Sequence, residues 1–281
     1  MDQHDNLADE FAKYFEIVYA DTPQLRRLAF RLRYQVYCLE SRLPGFDAAA
    51  YPDGEETDRY DKNALHVLLF HRPSNAVAGT LRIVRHDPSD PLWMFPLEEH
   101  AGMLRYRLKP SPRAEAIGEV SRFILSARFR SRRGEGRFPD GLADATQDLA
   151  DQGSERRHGP HPMLGLLKAL LELSWRNGIA FWYAGMESRL QRRLDMFGVG
   201  LHLAAEDVSY HGTVNAYLSS VAEVMRRCRR QYPENWRFLT DEGTIWPTQL
   251  DAPEEPRTES RPVAPRSAQE NEMKTPPPKK N

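Results

Sequence analysis

The chain has 281 residues, enough for one large domain or two small ones, and its 40 % hydrophobic content supports a core. Lys+Arg of 39 against Asp+Glu of 40 leave a formal charge of −1, which excludes a general attraction to nucleic acid. No run approaches the roughly 20 apolar residues that a bilayer span needs.

Residues 1–14 read as an N-terminal arm without the basic and apolar regions of a signal peptide. Residues 15–20 suit a short strand. Thr22 is then a good N-cap before Pro23, whose missing N–H costs nothing at the first helical position. Leu25, Leu28, Leu32, Val36 and Leu39 follow at helical spacing. Cys38 and Cys228 stand far apart without Cys-x-x-Cys spacing, which points to reduced thiols in a cytoplasmic protein. Residues 41–62 are loop-like. Residues 65–70 and 77–84 read as strands around a Pro73-Ser74-Asn75 turn. Another strand lies within 115–126, apolar at Ile117, Val120 and Ile124 but interrupted by charge.

Residues 128–162 form a polar insertion carrying Arg128, Arg130, Arg132, Arg133 and Arg137. Residues 163–177 spell a helix stopped by Gly178. Residues 179–184 read as a strand, 188–197 as a helix ended by Gly198, and 200–205 and 214–218 as strands. A helix over 221–230 closes the folded part. From Asp251 the composition turns to Pro, Glu, Arg, Ser and Lys. Such a segment has too little apolar surface to offset the entropy of ordering it, so 251–281 reads as a disordered tail behind a single domain, 15–250. The alternation of strands and helices indicates an α/β class.

Five short blocks stand out against this background. They are Arg33-Tyr34-Gln35-Val36-Tyr37, Glu56-Thr57-Asp58-Arg59-Tyr60-Asp61, Gly79-Thr80-Leu81-Arg82, Met94-Phe95 and Glu119-Val120-Ser121-Arg122. Taken singly, their Arg, Asp and Glu residues read as surface charge, the usual fate of such side chains. In this order they resemble the signature of N-acyl-homoserine-lactone synthases: Arg-x-x-Val-aromatic, Glu-x-Asp-x-x-Asp, Gly-x-x-Arg, an aromatic, and Glu-x-Ser-Arg. Those enzymes have the GCN5-related N-acyltransferase fold, a mixed central sheet flanked by helices. The resemblance covers about residues 15–220. Within that group, length and loop pattern look similar to the acyltransferases associated with exosortase and PEP-CTERM sorting, and next to N-acyl amino acid synthases.

The resemblance implies transfer of a fatty acyl group from a thioester to the amine of an amino acid or similar metabolite. The thioester is the phosphopantetheine of an acyl carrier protein, or coenzyme A, and no cofactor is tightly bound. The strands within 119–126 and 179–184 should splay to admit the pantetheine arm, with backbone N–H groups near Arg122 and Phe123 facing the thioester oxygen. An ion-pair network should border the acceptor pocket, Glu119 with Arg122, and Asp58 or Asp61 with Arg33 and Arg82. Tyr37 and Ser121 belong to the same substrate-binding set, and Phe95 should line the acyl tunnel. Glu56 and Glu119 are the candidates for drawing a proton from the amine through a water.

Arg130 and the run Arg132-Arg133-Gly134-Glu135-Gly136 resemble the Arg-x-x-Gly-x-Gly pyrophosphate loop of the superfamily, a site for phosphate or an acyl carrier protein. The same run also reads as a solvated basic loop. Arg226, Arg227, Arg229 and Arg230 form a second basic patch.

Two departures bear on the product. The Trp that lactone synthases carry after the first block is missing, with Arg42-Leu43-Pro44-Gly45-Phe46 in its place, which puts an S-adenosylmethionine pocket in question. Phe197 stands about where many acetyltransferases place a Tyr acid. A lactone synthase and a non-catalytic carrier-binding module are therefore the alternatives. No Asp-x-Asp-x-Asp-Gly calcium pattern occurs, His158 and His161 lack a second ligand pair, and Ser121 lacks a Gly-x-Ser-x-Gly elbow.

Overall fold

Strand β4 (Ile117–Leu125) is the hinge of the sheet in the computed structural model, which describes residues 7–102, 104, 111–130 and 160–246. On one side, β1 (Phe15–Tyr19), β2 (Ala64–His71) and β3 (Ala76–Arg85) run antiparallel up to it. On the other, β5 (Phe181–Met186) is its parallel neighbour, followed by β7 (Thr213–Ser220) and the edge strand β6 (Leu203–Ser209). The seven-stranded order is β1-β2-β3-β4-β5-β7-β6. This is the mixed sheet expected of the GCN5-related fold. Arg132, Arg133, Gly134, Gly136 and the 251–281 tail lie outside the described residues, as does the side chain of Arg130.

A parallel pair needs a crossover, and α5 (Pro162–Arg176) supplies it. Its Leu166, Leu167, Leu170 and Leu171 pack with Val67, Leu69, Leu81, Ile83 and Trp182 in the main core. Each such side chain contributes about 1.5–3 kcal/mol on burial, so this face is a stiff frame. The sequence analysis assigned no element to α1 (Leu7–Tyr14), yet its Phe11 reaches this core. Gly165 makes room for it, since a Cβ there would run into the Phe11 ring.

The opposite face carries a smaller cluster, with Val84, Phe95, Leu97, Ile117, Tyr183 and Leu218 under the short helix α3 (Pro96–Ala101). A helical turn, α4 (Ala127–Arg130), follows β4. Helices α6 (Ser188–Met196), α7 (Val221–Gln231) and α8 (Pro233–Thr240) complete the described chain. Cys38 and Cys228 are both free and buried.

Helix α2 (Pro23–Tyr34) starts as expected, with the Thr22 hydroxyl accepting from the Leu25 N–H at 3.3 Å. Its apolar stripe does not continue to Leu39. Residues Gln35–Glu40 form a π-helix, whose wider turn buries Val36, Tyr37 and Cys38 and leaves Leu39 half exposed. Strand β6 also begins later than the 200–205 reading, because Val199 and Gly200 finish the turn out of α6.

Candidate active site

Between Arg82↔Ser121 and Thr80↔Ile124, β3 advances two residues while β4 advances three. The extra residue is a β-bulge, and Arg122 within it takes a left-handed φ of 54°. Beyond Val120↔Ala184, β4 and β5 no longer pair. Gly79 shows why a glycine stands opposite this irregularity. A Cβ there would lie 2.8 Å from the Ile124 carbonyl oxygen and 2.7 Å from Leu125 Cδ2.

The gap between the splayed strands opens a cavity of about 280 Å³. Ser121, Arg122 and Phe123 form one wall, Trp182 and Ala184 the other, and Leu167 and Leu170 of α5 the apolar depth. Tyr37 and Phe46 close the side next to Arg122, and Tyr210 and His211, from the β6–β7 turn, reach the same wall.

Behind this mouth three arginines interleave with three carboxylates. Arg33 donates to Glu56 and, through a two-pronged pair at 2.7 and 3.0 Å, to Asp61. Arg82 donates to Asp58 at 2.6 Å, Asp61 at 2.8 Å and the Ser121 hydroxyl at 3.0 Å. Arg122 donates to Glu56 at 2.9 and 3.1 Å and to Asp58 at 3.1 Å. Local backbone fixes the acids. Asp58 caps the 3-10 turn Arg59–Asn63 by accepting from the Tyr60 N–H, and Asp61 accepts from the Asp58 N–H at 2.8 Å.

Formal charges cancel, three against three. Burial alone would raise the Glu56 carboxyl, but Arg33 and Arg122 hold it down at about 2. Asp61 is likewise lowered against its burial, by Arg33 and Arg82. The Arg122 guanidinium lies over the Tyr37 and Phe46 rings at 5.7 and 5.1 Å, and those rings stack at 4.7 Å. Burial pushes the Tyr37 phenol up to about 12.

Two expected site placements are corrected. Glu119 does not pair with Arg122. One of its oxygens accepts from the Leu97 N–H of α3 at 2.8 Å, and the other has no partner among the described residues. The bulge that begins after Ser121 is the reason, because Arg122 lies within it and meets Glu56 and Asp58 instead. Burial raises the Glu119 carboxyl to about 8. Phe95 does not line the cavity. It sits fully buried at the N-terminus of α3, where its N–H donates to Glu98 at 3.3 Å and its ring packs edge-on to Tyr183 at 5.4 Å. Phe197 packs on His161 at 5.3 Å, away from the cavity wall.

Residues 32–137 match the family described as the acetyltransferase (GNAT) domain. FeeM, an N-acyl amino acid synthase from uncultured soil microbes, has the same fold, with a TM-score of 0.51 at 13 % identity over 78 % of this chain and 96 % of that one. Over residues 32–137 the chain is similar to the GNAT acetyltransferase family, and it shares the fold of FeeM. BjaI, a CoA-dependent acyl-homoserine lactone synthase solved with MTA, aligns at 22 % identity and a TM-score of 0.49, over 85 % of this chain and 94 % of that one. The acyl-homoserine-lactone synthase LasI aligns at 16 % identity and 0.46, over 73 % and 88 %. No curated protein matches in sequence.

All six members of the ion-pair network fall within residues 32–137, the stretch that matches the GNAT family. The cavity walls from Trp182, Tyr210 and His211 fall outside it. The sequence carried no signal for Tyr210 and His211 beyond the turn glycine Gly212, because a residue's approach to a distant strand is a tertiary fact.

Proposed function

We propose that this domain moves a fatty acyl group from an acyl-carrier-protein thioester to the amine of an amino acid or a similar small metabolite. The observation that supports this best is the splay of β4 from β5, with a cavity that is polar at the Arg122 bulge and apolar at Leu167, Leu170 and Trp182. An alkyl chain fits the apolar depth. Backbone N–H groups freed from sheet pairing at the bulge are available to a thioester oxygen, where preorganised donors act most strongly. The reaction forms a C–N bond and breaks a C–S bond. A thiolate is a good leaving group, so the Phe at position 197 is no obstacle.

Product analysis tests this. Purified protein is incubated with dodecanoyl-acyl-carrier protein, or with dodecanoyl-coenzyme A, and the common amino acids, and the lipids are weighed by mass spectrometry. An N-dodecanoyl amino acid is expected, formed faster from the carrier protein and slowed by added salt, since the arginines grouped along the sequence at 128–137 and 226–230 suit encounter with an acidic carrier. Equal or faster turnover with the coenzyme A thioester, insensitive to salt, rejects the carrier donor. An acyl lactone formed only with S-adenosylmethionine rejects the acceptor. No product rejects the transferase reading.

A further inference from the structure

The acyl-transfer reading needs a base, because an amino acid's amine is protonated at neutral pH and cannot attack a thioester. The two acids singled out by sequence do not serve. Glu56 is tied up by Arg33 and Arg122 behind the wall. Glu119 hydrogen-bonds to α3 and is not on the cavity wall. Glu187, which does line the cavity, is paired with Arg189 at 3.1 Å.

One wall residue is an imidazole. His211 sits at the tip of the β6–β7 hairpin, where the Tyr210 N–H donates to the Gly212 carbonyl at 2.8 Å and closes the turn. His211 has a left-handed φ of 50° and Gly212 a φ of 114°. Non-glycine residues held in that region are uncommon, and they cluster where geometry serves a site. The turn sets the His211 ring 4.6 Å from Phe46, the same ring that lies under Arg122. Among the described residues neither of its ring nitrogens has a hydrogen-bond partner; Nδ1 lies against Gly45, 2.9 Å from where a Cβ would stand, and the residue lines the cavity.

We propose that His211 accepts the proton of the acceptor's ammonium group. The neutral amine then attacks the thioester carbonyl, the C–N bond forms, and the C–S bond breaks. The proton left on nitrogen goes to the departing sulfur, and His211, which is exposed along one side, returns its proton to water. The charged and titratable groups around it suit the role. They are Arg122 from β4, Glu56 and Asp58 from the loop before β2, His100 from α3, and Tyr210 beside it. Burial first, and then the Arg122 charge, lower the His211 imidazole below its ordinary value, which keeps it neutral and able to accept.

The test uses His211→Asn, since Asn tolerates the left-handed turn, with His211→Gln as a second variant. The donor is dodecanoyl-pantetheine. The acceptors are the amino acid returned by product analysis and hydroxylamine, whose amine is already neutral at neutral pH. Both variants should lose about a hundredfold or more with the amino acid and stay within about threefold of wild type with hydroxylamine. The acid limb of the wild-type kcat/KM profile, rising with pH as the imidazole deprotonates, should vanish in the variants, and added imidazole should restore part of the rate. Equal losses on both acceptors, or an acid limb that survives, would overturn the role of His211 alone. A wild-type protein that acylates neither acceptor would instead reject the acyl-transfer reading, and this inference with it.

Discussion

Arg122 meets three kinds of neighbour from one position in β4. It bonds Glu56 and Asp58, lies over Tyr37 and Phe46, and adopts a backbone conformation that breaks the pairing around it. Glu56 is its chief partner and is fully buried, as is Arg33 on the other side. Removing one member of such a pair leaves an uncompensated buried charge, which costs about 3–5 kcal/mol. Glu56→Ala and Arg122→Ala should each destabilise on that scale. The double variant should fall short of the sum by about 1–3 kcal/mol, because the second removal relieves the charge stranded by the first. Glu119→Ala combined with Arg122→Ala should be closer to additive, since no hydrogen bond joins them. Chemical denaturation of the two cycles checks this, and equal coupling in both would show that the bulge does not separate Glu119 from the network.

At the scale of elements, the β3–β4 pair shapes the cavity mouth. Gly79 belongs to the Gly-x-x-Arg block, and its role is steric. A Cβ would press on the backbone carbonyl of Ile124, which cannot swing aside as a side-chain tip can. Gly79→Ala should therefore push the end of β4 outward, costing about 1–3 kcal/mol and lowering turnover more than that loss of stability explains. A thermal midpoint and a turnover rate both unchanged from wild type would remove the steric account. Most elements were legible because local patterns specify them. The Thr22 cap, the leucines of α5 and the alternation in β3 each carry their own signal. Helix α1 was not, since its eight residues offer only Leu7, Phe11 and Tyr14 to the core, and the space for Phe11 is left by Gly165 far along the chain. The π-helix at Gln35–Glu40 was equally hidden, because a widened turn has no distinct residue pattern. Order along the chain marked the network residues, while which arginine meets which acid depended on a bulge that Ser121-Arg122 does not announce.

For the whole molecule, a formal charge of −1 makes general repulsion a small influence on pH stability near neutrality. A few buried groups decide the profile instead. His66 is buried and lowered by burial from 6.5 to about 4, so it is neutral when folded and protonated when unfolded between those values. It makes stability rise with pH up to about 6.5, and His71 and His211, also lowered, act in the same sense. Glu119 works the other way. Its carboxyl, raised by burial from 4.5 to about 8, holds a proton in the folded state that the unfolded chain has already lost, so stability falls with pH across that interval. From about 4.5 to 6.5 the two trends oppose each other. Below 4.5 stability rises with pH and is lost on acidification, because Glu56, lowered to about 2, stays ionised in the fold while its unfolded counterpart takes up a proton. Between 6.5 and 8 only the Glu119 trend remains, worth about 1–2 kcal/mol of declining stability. Glu119→Gln keeps an acceptor for the Leu97 N–H and cannot ionise. Its stability should rise with pH to about 6.5 and then stay level to 8, overtaking wild type as the pH rises, as urea denaturation at a series of pH values would show. A variant that declines between 6.5 and 8 as steeply as wild type would mean that Glu119 is already ionised in the folded protein.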